Sequence, residues 1–374
     1  MGLLDALMNK EKKLLERSRK ELAKVDSLEK ASRSDDALAE LEKLRLMLKE
    51  NILFIGKMKW EFSQVFSSMG MKYLAFVKAQ PAHDAAKRSL EFDPKNAEAM
   101  GVAGRAALAL GMKGEAVASL KNAVATAPQS EDLWVALGET QNAVGDVSGA
   151  IGSYTKALTI NPLGIRTYDK ILEHTPDDVD LIKRKASTLT KLQRYDDAAK
   201  TYQDGIEINK KDKELWVGRA TALNFAGKGE EAVRSLTAAL KLDPKDAYCL
   251  DNLGRIQHKL GVREEAMKSF SAAAAVDKGN KTVWNELGVL QEESEMYDDA
   301  VQSFDNALRV DPNDLTVLVN KKKTLISAKK FPDAISACDR ILILNPHDHE
   351  ALFDKGRSLF SMGRVDEALT FVEA

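Results

Sequence analysis

The sequence predicts an all-α array in which short antiparallel helix pairs follow one another along the chain. Three observations carry that expectation. Prolines keep a 34-residue interval or its double: Pro94, Pro128 and Pro162, then Pro176, Pro244, Pro312 and Pro346. Alanines keep the same beat as Ala82, Ala116 and Ala150, and again as Ala198, Ala232, Ala266, Ala300, Ala334 and Ala368. A capping residue stands two after each proline or its equivalent: Asn96, Ser130, Asp178, Asp212, Asp246, Asn280, Asp314 and Asp348. Self-similarity at such a period marks a repeat architecture and overrides the prior, from length, of two or three compact domains.

Residues 1–62 come first and read as mostly helical. Leu4, Leu7 and Met8, then Leu14, Leu15 and Leu22, form an apolar stripe with mixed charges opposite. The segment is expected to cap the array, which needs its first repeat shielded. A weaker copy of the repeat is expected over 18–51, where "RSDDALAEL" echoes "RYDDAAKTY". Lys10, Lys12, Lys13, Arg17, Arg19 and Lys20 raise the alternative of a membrane-surface helix. Interleaved Glu11, Glu16 and Glu21, at salt-bridge spacing, argue against it.

Each residue class in the repeat has a task. The Asn, Ser or Asp accepts a backbone hydrogen bond and starts the first helix. Four residues later comes a large knob: Trp134, Trp216 and Trp284, or Met100, Ile182, Leu250, Leu318 and Leu352. Four further along, Gly104, Gly138, Ala186, Ala220, Gly254, Gly288 and Gly356 let the partner helix approach. Gly111, Gly145, Gly227, Gly261 and Gly363 stop that helix, being tolerant of positive φ. The recurrent alanine sits at the close crossing of the second helix, and a larger residue follows at i+4, as Tyr154, Phe270 or Phe304. Asp-Pro or Asn-Pro then ends the pair, because proline disfavours α geometry before it. Pro81 and Pro332 lie off the beat, at the first turn of a second helix, where a missing N–H costs little.

One interval is short. Pro162 and Pro176 are 14 residues apart, and every other residue class jumps by 48, which is 34 plus 14. Tyr168, Ile171 and Pro176 match the end of a second helix with no first helix before them. The segment 163–176 is therefore expected to be half a repeat, a joint between two arrays. The alternative is a loop insertion carrying a chance proline.

The pattern resembles the tetratricopeptide repeat family, most specifically in "EDLWVALGETQNAVGDVSGAIGSYTKALTINP" and "KTVWNELGVLQEESEMYDDAVQSFDNALRVDP". The resemblance covers about 63–374 and implies a right-handed α–α superhelix with a half-repeat near 163–176. Its parts would be the cap at 1–62, a leading array at 63–162, the single helix, and a trailing array at 177–374 whose last repeat is incomplete. Lys322 departs from the pattern, standing where the family has Gly or Ala. In such arrays the inner helices line a concave groove that takes a protein or an extended peptide. Helical spacing places Asn224, Asp251, Arg255, His258, Asn285, Glu292, Lys323, Phe353, Arg357 and Phe360 on that groove in the trailing array. The Lys/Asn pattern with which some members clamp acidic chaperone tails is absent from any three consecutive repeats.

Composition narrows the classes further. With 55 basic and 57 acidic side chains the net charge is −2, which argues against nucleic acid as a partner. The apolar stretch 52–77 is interrupted by Lys57, Lys59, Glu61 and Lys72, so no membrane span is expected. Cys249 and Cys338 read as free thiols, and with no signal peptide the expected compartment is the cytoplasm. No phosphate loop, nucleophile elbow or dinucleotide fingerprint occurs. The "HDHE" at 347–350 lacks the spacing of a helical metal motif, so no metal, cofactor or enzymatic activity is expected. The expected function is a protein-interaction scaffold. The alternative is the docking arm of a larger enzyme with its catalytic domain beyond Ala374, because "RVDEALTFVEA" stops inside a second helix. Oligomerisation through the exposed final repeat is compatible with either.

Overall fold

The computed structural model describes residues 2–371, with side chains from Asp5 onward. Among the described residues there are helices and no strands, and the chain divides into two units, 1–178 and 179–374.

Unit 1 opens with two helices, α1 (Gly2–Lys30) and α2 (Ser34–Glu50). A single 3-10 turn (Ile52–Phe54) leads into three helix pairs: α3 (Lys59–Ala75) with α4 (Ala79–Phe92), α5 (Ala97–Ala109) with α6 (Lys113–Thr126), and α7 (Glu131–Ala143) with α8 (Val147–Ile160). A lone helix, α9 (Ile165–Leu172), occupies the short interval and packs on α8. It buries Thr167, Tyr168 and Ile171. The two opening helices are no loose extension: Leu15, Val25, Leu41, Leu44 and Leu48 share one core with Phe62, Met69 and Tyr73. Polar contacts secure them, with the Tyr73 hydroxyl donating to Glu42 at 2.9 Å and Lys72 reaching Glu29 at 2.5 Å.

Unit 2 holds five complete pairs: α10 (Val179–Lys191) with α11 (Tyr195–Ile208), α12 (Lys213–Phe225) with α13 (Gly229–Leu242), α14 (Ala247–Lys259) with α15 (Arg263–Val276), α16 (Lys281–Glu293) with α17 (Tyr297–Val310), and α18 (Leu315–Ser327) with α19 (Phe331–Leu344). After them come α20 (His349–Ser361) and α21 (Val365–Leu369), where the described part of the last pair ends.

The chemistry of each repeat accounts for these boundaries. Asn96, Asp212, Asp246, Asn280, Asp314 and Asp348 each accept a backbone N–H two or three residues on. Ser130 makes no such bond; Glu131 and Asp132 instead complement the positive end of α7. The five stop glycines have φ of 77–89°. Where the beat lacks glycine the same conformation persists, at Val77, Gln193, Glu295 and Lys329 with φ of 57–61°. Ala82, Ala116, Ala150, Ala198, Ala232, Ala266, Ala300 and Ala334 are all fully buried. Close approach explains the glycines of the first helices: a Cβ on Gly138 would stand 2.6 Å from the Tyr154 ring, and one on Gly288 would stand 2.7 Å from Phe304.

Two features differ from the sequence reading. The tryptophan knobs are only half-buried; their indole N–H groups donate to the carbonyls of Pro128, Lys210 and Lys278 at 2.9, 3.0 and 3.2 Å. A large ring with one polar edge belongs at such a boundary, and the preceding residues Leu133, Leu215 and Val283 go deeper. The second feature is a recurrent bond between helices of a pair. Ser153, Ser269 and Ser303 donate to Gln141, Gln257 and Gln291 at 2.5–2.6 Å.

Candidate interaction surface

The first helices of unit 2 carry the residues that helical spacing assigned to a groove. One run of them is engaged with itself. The Arg255 guanidinium lies 2.9 Å from Asp251 one turn back and 3.6 Å from Glu286 on the next repeat. His258 approaches Glu293 at 3.5 Å, and Asn285 accepts from the Asn320 amide at 3.0 Å. Lys323 stands 3.9 Å from Glu350. Burial pushes the Glu292 carboxyl above its usual range, against the opposing pull of Lys323. These groups therefore form a ladder of exposed and half-buried polar contacts between successive repeats. Surface pairs of this kind contribute little to stability and remain free to exchange partners.

At the end of the series Phe353 and Phe360 are 66% and 65% exposed, one to either side of Arg357, which binds Asp354 at 3.1 Å. Large apolar side chains left in water on a face otherwise made of amides and charges are the informative exceptions on a soluble surface.

The remaining residue of the set, Asn224, lies one repeat earlier, on α12. It lines a pocket of about 130 Å³ between α12 and α14, with Thr221, Phe225, Tyr248 and Asn252 around the mouth and Leu236 of α13 at the base. Phe225 and Tyr248 are each 60% exposed, and the Phe225 ring stacks on Tyr195 at 5.3 Å between centroids. That stacking holds one aromatic wall in place. The Asn252 amide donates to the Tyr248 carbonyl at 2.8 Å, leaving its oxygen as an acceptor at the mouth. An apolar base, two aromatic walls and a few amides make a receptacle for one side chain with backbone groups beside it.

Sequence reasoning missed Tyr248 and Phe225, yet a signal was present. In the register of the repeat, Tyr248 corresponds to Glu98, Asp132, Asp180, Glu214, Thr282, Thr316 and Glu350, and is the single aromatic in a polar column. Phe225 likewise corresponds to Ala109, Ala143, Lys191, Lys259, Glu293, Ser327 and Ser361.

Other chemistry is sparse. Among the described residues no group of three or more His, Cys, Asp or Glu could hold a metal ion, and no helix is long and apolar enough to cross a membrane. Cys249 and Cys338 are free and buried, and burial pushes each thiol up to about 12. Such thiols are unreactive near neutral pH.

Family profiles described as tetratricopeptide repeat match residues 102–165, 183–247, 282–314 and 325–374. No curated protein matches the chain. Solved structures that resemble it include MamA, with 19% identity over 49% of this chain and 92% of that one at a TM-score of 0.38. YrrB, described as a TPR protein with an unusual peptide-binding site, shares 18% identity over 54% of this chain and 97% of its own, at a TM-score of 0.35. PilF of Pseudomonas aeruginosa shares 17% over 52% and 88%, at 0.39.

Proposed function

Because the chain belongs to the tetratricopeptide repeat family, we propose that it is a protein-interaction scaffold that binds an extended peptide on the first-helix face of unit 2. The observation that carries the reading is the pocket between α12 and α14, with its two exposed aromatic walls. An apolar side chain of the peptide enters between Phe225 and Tyr248. Asn224 and Asn252 satisfy its backbone groups, and the charged ladder from Asp251 to Lys323 meets its flanking side chains. Phe353 and Phe360 offer a second apolar anchor. Aromatic anchors in small desolvated sites usually carry more binding energy than screened rim charges.

The reading is tested by selecting random displayed peptides on the purified protein and measuring their affinity for single variants. Tyr248→Ala and Phe225→Ala should each weaken binding by about 1–2 kcal/mol, and Phe360→Ala should exceed Lys323→Ala, which should change it by a few tenths. Selected peptides should share one aromatic or aliphatic position. Peptides that bind all four variants as well as the parent protein would move the interaction to another face.

A further inference from the structure

We propose that the opening of unit 1 is a docking surface for an anionic lipid bilayer, with the 3-10 turn Ile52–Phe54 as the inserted tip. Leu53 is 94% exposed, more than any other large apolar side chain among the described residues. Phe54 beside it is partly exposed, and Trp60 follows at the start of α3, also largely in water. A globular surface gains nothing from presenting Leu53 and Phe54 to water at one turn.

Cations flank the turn on both sides. On one side lies a cleft of about 300 Å³, where Lys10, Lys13 and Arg17 of α1 surround Leu14, Met47 and Phe54. The Lys10 ammonium stands 5.3 Å over the Phe54 ring. On the other side lies a cleft of about 410 Å³ whose apolar floor includes Ile52 and Phe66 and whose rim carries Lys49 and Lys87 beside Asp84 and the Arg88–Glu91 ion pair. None of Lys10, Lys13, Arg17, Lys49 and Lys87 has a carboxylate at ion-pair distance among the described residues.

The interleaved glutamates of α1 had argued against such a role. The structure removes that ground. Glu11 is only 3% exposed and points inward, accepting the backbone N–H groups of Gly56, Lys57 and Met58 at 2.8, 3.3 and 2.7 Å. Its charge serves the start of α3 and neutralises no lysine. The same three bonds brace the segment joining the turn to α3, so the tip is presented on a fixed support. Glu16 and Glu21 form no ion pair with the α1 cations among the described residues.

The geometry favours a bilayer over an acidic peptide. The most exposed apolar side chains, Leu53 and Trp60, line neither cleft and project into water, whereas a peptide's anchors would be met by groups that line a recess. An apolar tip set among unpaired cations matches acyl chains below a layer of anionic headgroups, and an indole beside it suits the interface.

The test is flotation of the full chain with vesicles of phosphatidylcholine alone and of phosphatidylcholine mixed with phosphatidylserine. Binding is expected to the mixed vesicles only, to weaken with salt, and to disappear for Leu53→Asp. Lys10→Gln and Lys13→Gln should each weaken it about fivefold. The tryptophan emission should shift to shorter wavelength on binding, and Trp60→Phe should abolish that shift. Helical circular dichroism identical to the parent shows that each variant is folded. A folded parent chain that ignores the mixed vesicles, or a Leu53→Asp chain that binds them equally well, overturns the proposal. A chain that ignores vesicles but captures a polyglutamate peptide overturns it too, assigning the cations to an acidic protein.

Discussion

The pairs α16–α17 and α18–α19 are built on the same repeat and solve one packing problem in opposite ways. In α16–α17 the crossing is apolar: Gly288 leaves room for the Phe304 ring, and both are buried. In α18–α19 the equivalent positions hold Lys322 and Cys338, so the large side chain comes from the first helix and the small one from the second. Lys322 is 1% exposed, with its ammonium 2.8 Å from Asp354 and 3.3 Å from Glu350 on α20. Burial alone would lower its pKa, but the Asp354 and Glu350 carboxylates outweigh burial and raise it. Side-chain volume at a helix crossing is thus shared between two positions, and a buried charge is tolerated where the next repeat supplies the counter-charge.

The largest effect should come from removing that charge. Lys322→Met leaves Asp354 buried with only Arg357 to pair it and should destabilise unit 2 by about 3 kcal/mol in urea unfolding. Combining Lys322→Gly, Cys338→Phe and Asp354→Ala imports the neighbouring solution and should recover most of the loss. A loss under about 1 kcal/mol for Lys322→Met would mean that the two crossings are not energetically distinct.

Overfilling the apolar crossing comes next. Gly288→Val drives a branched side chain into the Phe304 ring and should cost about 2 kcal/mol. Gly152→Ala, on a helix position with nothing within 4 Å, should instead stabilise by nearly 1 kcal/mol.

Both pairs share a strained stop between their helices, at Glu295 and Lys329 with φ of 61° and 58°. Glu295→Gly and Lys329→Gly should each stabilise by about 1 kcal/mol, and Val77→Gly in unit 1 by slightly more, since Val77 is β-branched. Unequal gains at residues 295 and 329 would show that the surrounding pair, rather than the backbone, sets the strain.

The smallest effect separates an exposed pair from the buried one. Lys281 of α16 bonds Asp311 and Asp314 at 2.7 Å, and those bonds hold both carboxyls below the usual range. A carboxylate with a depressed folded pKa contributes stability above its unfolded value, near 4, and loses it as pH falls through the folded value. Lys281→Met should therefore lower the urea midpoint slightly at pH 7, and the difference should fade as acidification carries the pH down through the folded values of the two carboxyls. For Lys322 the sign is opposite: its raised pKa contributes stability below about pH 10.4, lost as pH rises through the folded value.

Much of this architecture was legible in the sequence because it rests on local rules. A cap such as Asp314 bonds backbone two or three residues away, Gly111 ends its helix through its own φ, and Pro162 restricts the residue before it. The period therefore shows which segments are helices, and its short step shows that a lone helix falls between Pro162 and Pro176. We interpret that helix as the joint between the leading and trailing arrays, and the helices before 63 as a cap packed on the first pair of the leading array. Of the candidate surface, the bonds that join the charged ladder across repeats depend on stacking, whereas the helix face that Phe353, Phe360 and the ladder's own side chains occupy follows from helical spacing. The pocket does not, because its walls Phe225 and Tyr248 come from different repeats, and which aromatics meet there depends on how successive repeats stack.

By itself, then, the sequence determined the period, the helix boundaries and the face each residue occupies, all consequences of hydrogen bonds and steric limits within a few residues. Tertiary structure decided where charge goes. Glu11 meets its backbone donors about 45 residues away, and Lys322 meets Asp354 one repeat on. Whether a charged side chain is solvated, buried or exposed without a partner depends on what lies opposite it, and periodicity carries no record of that.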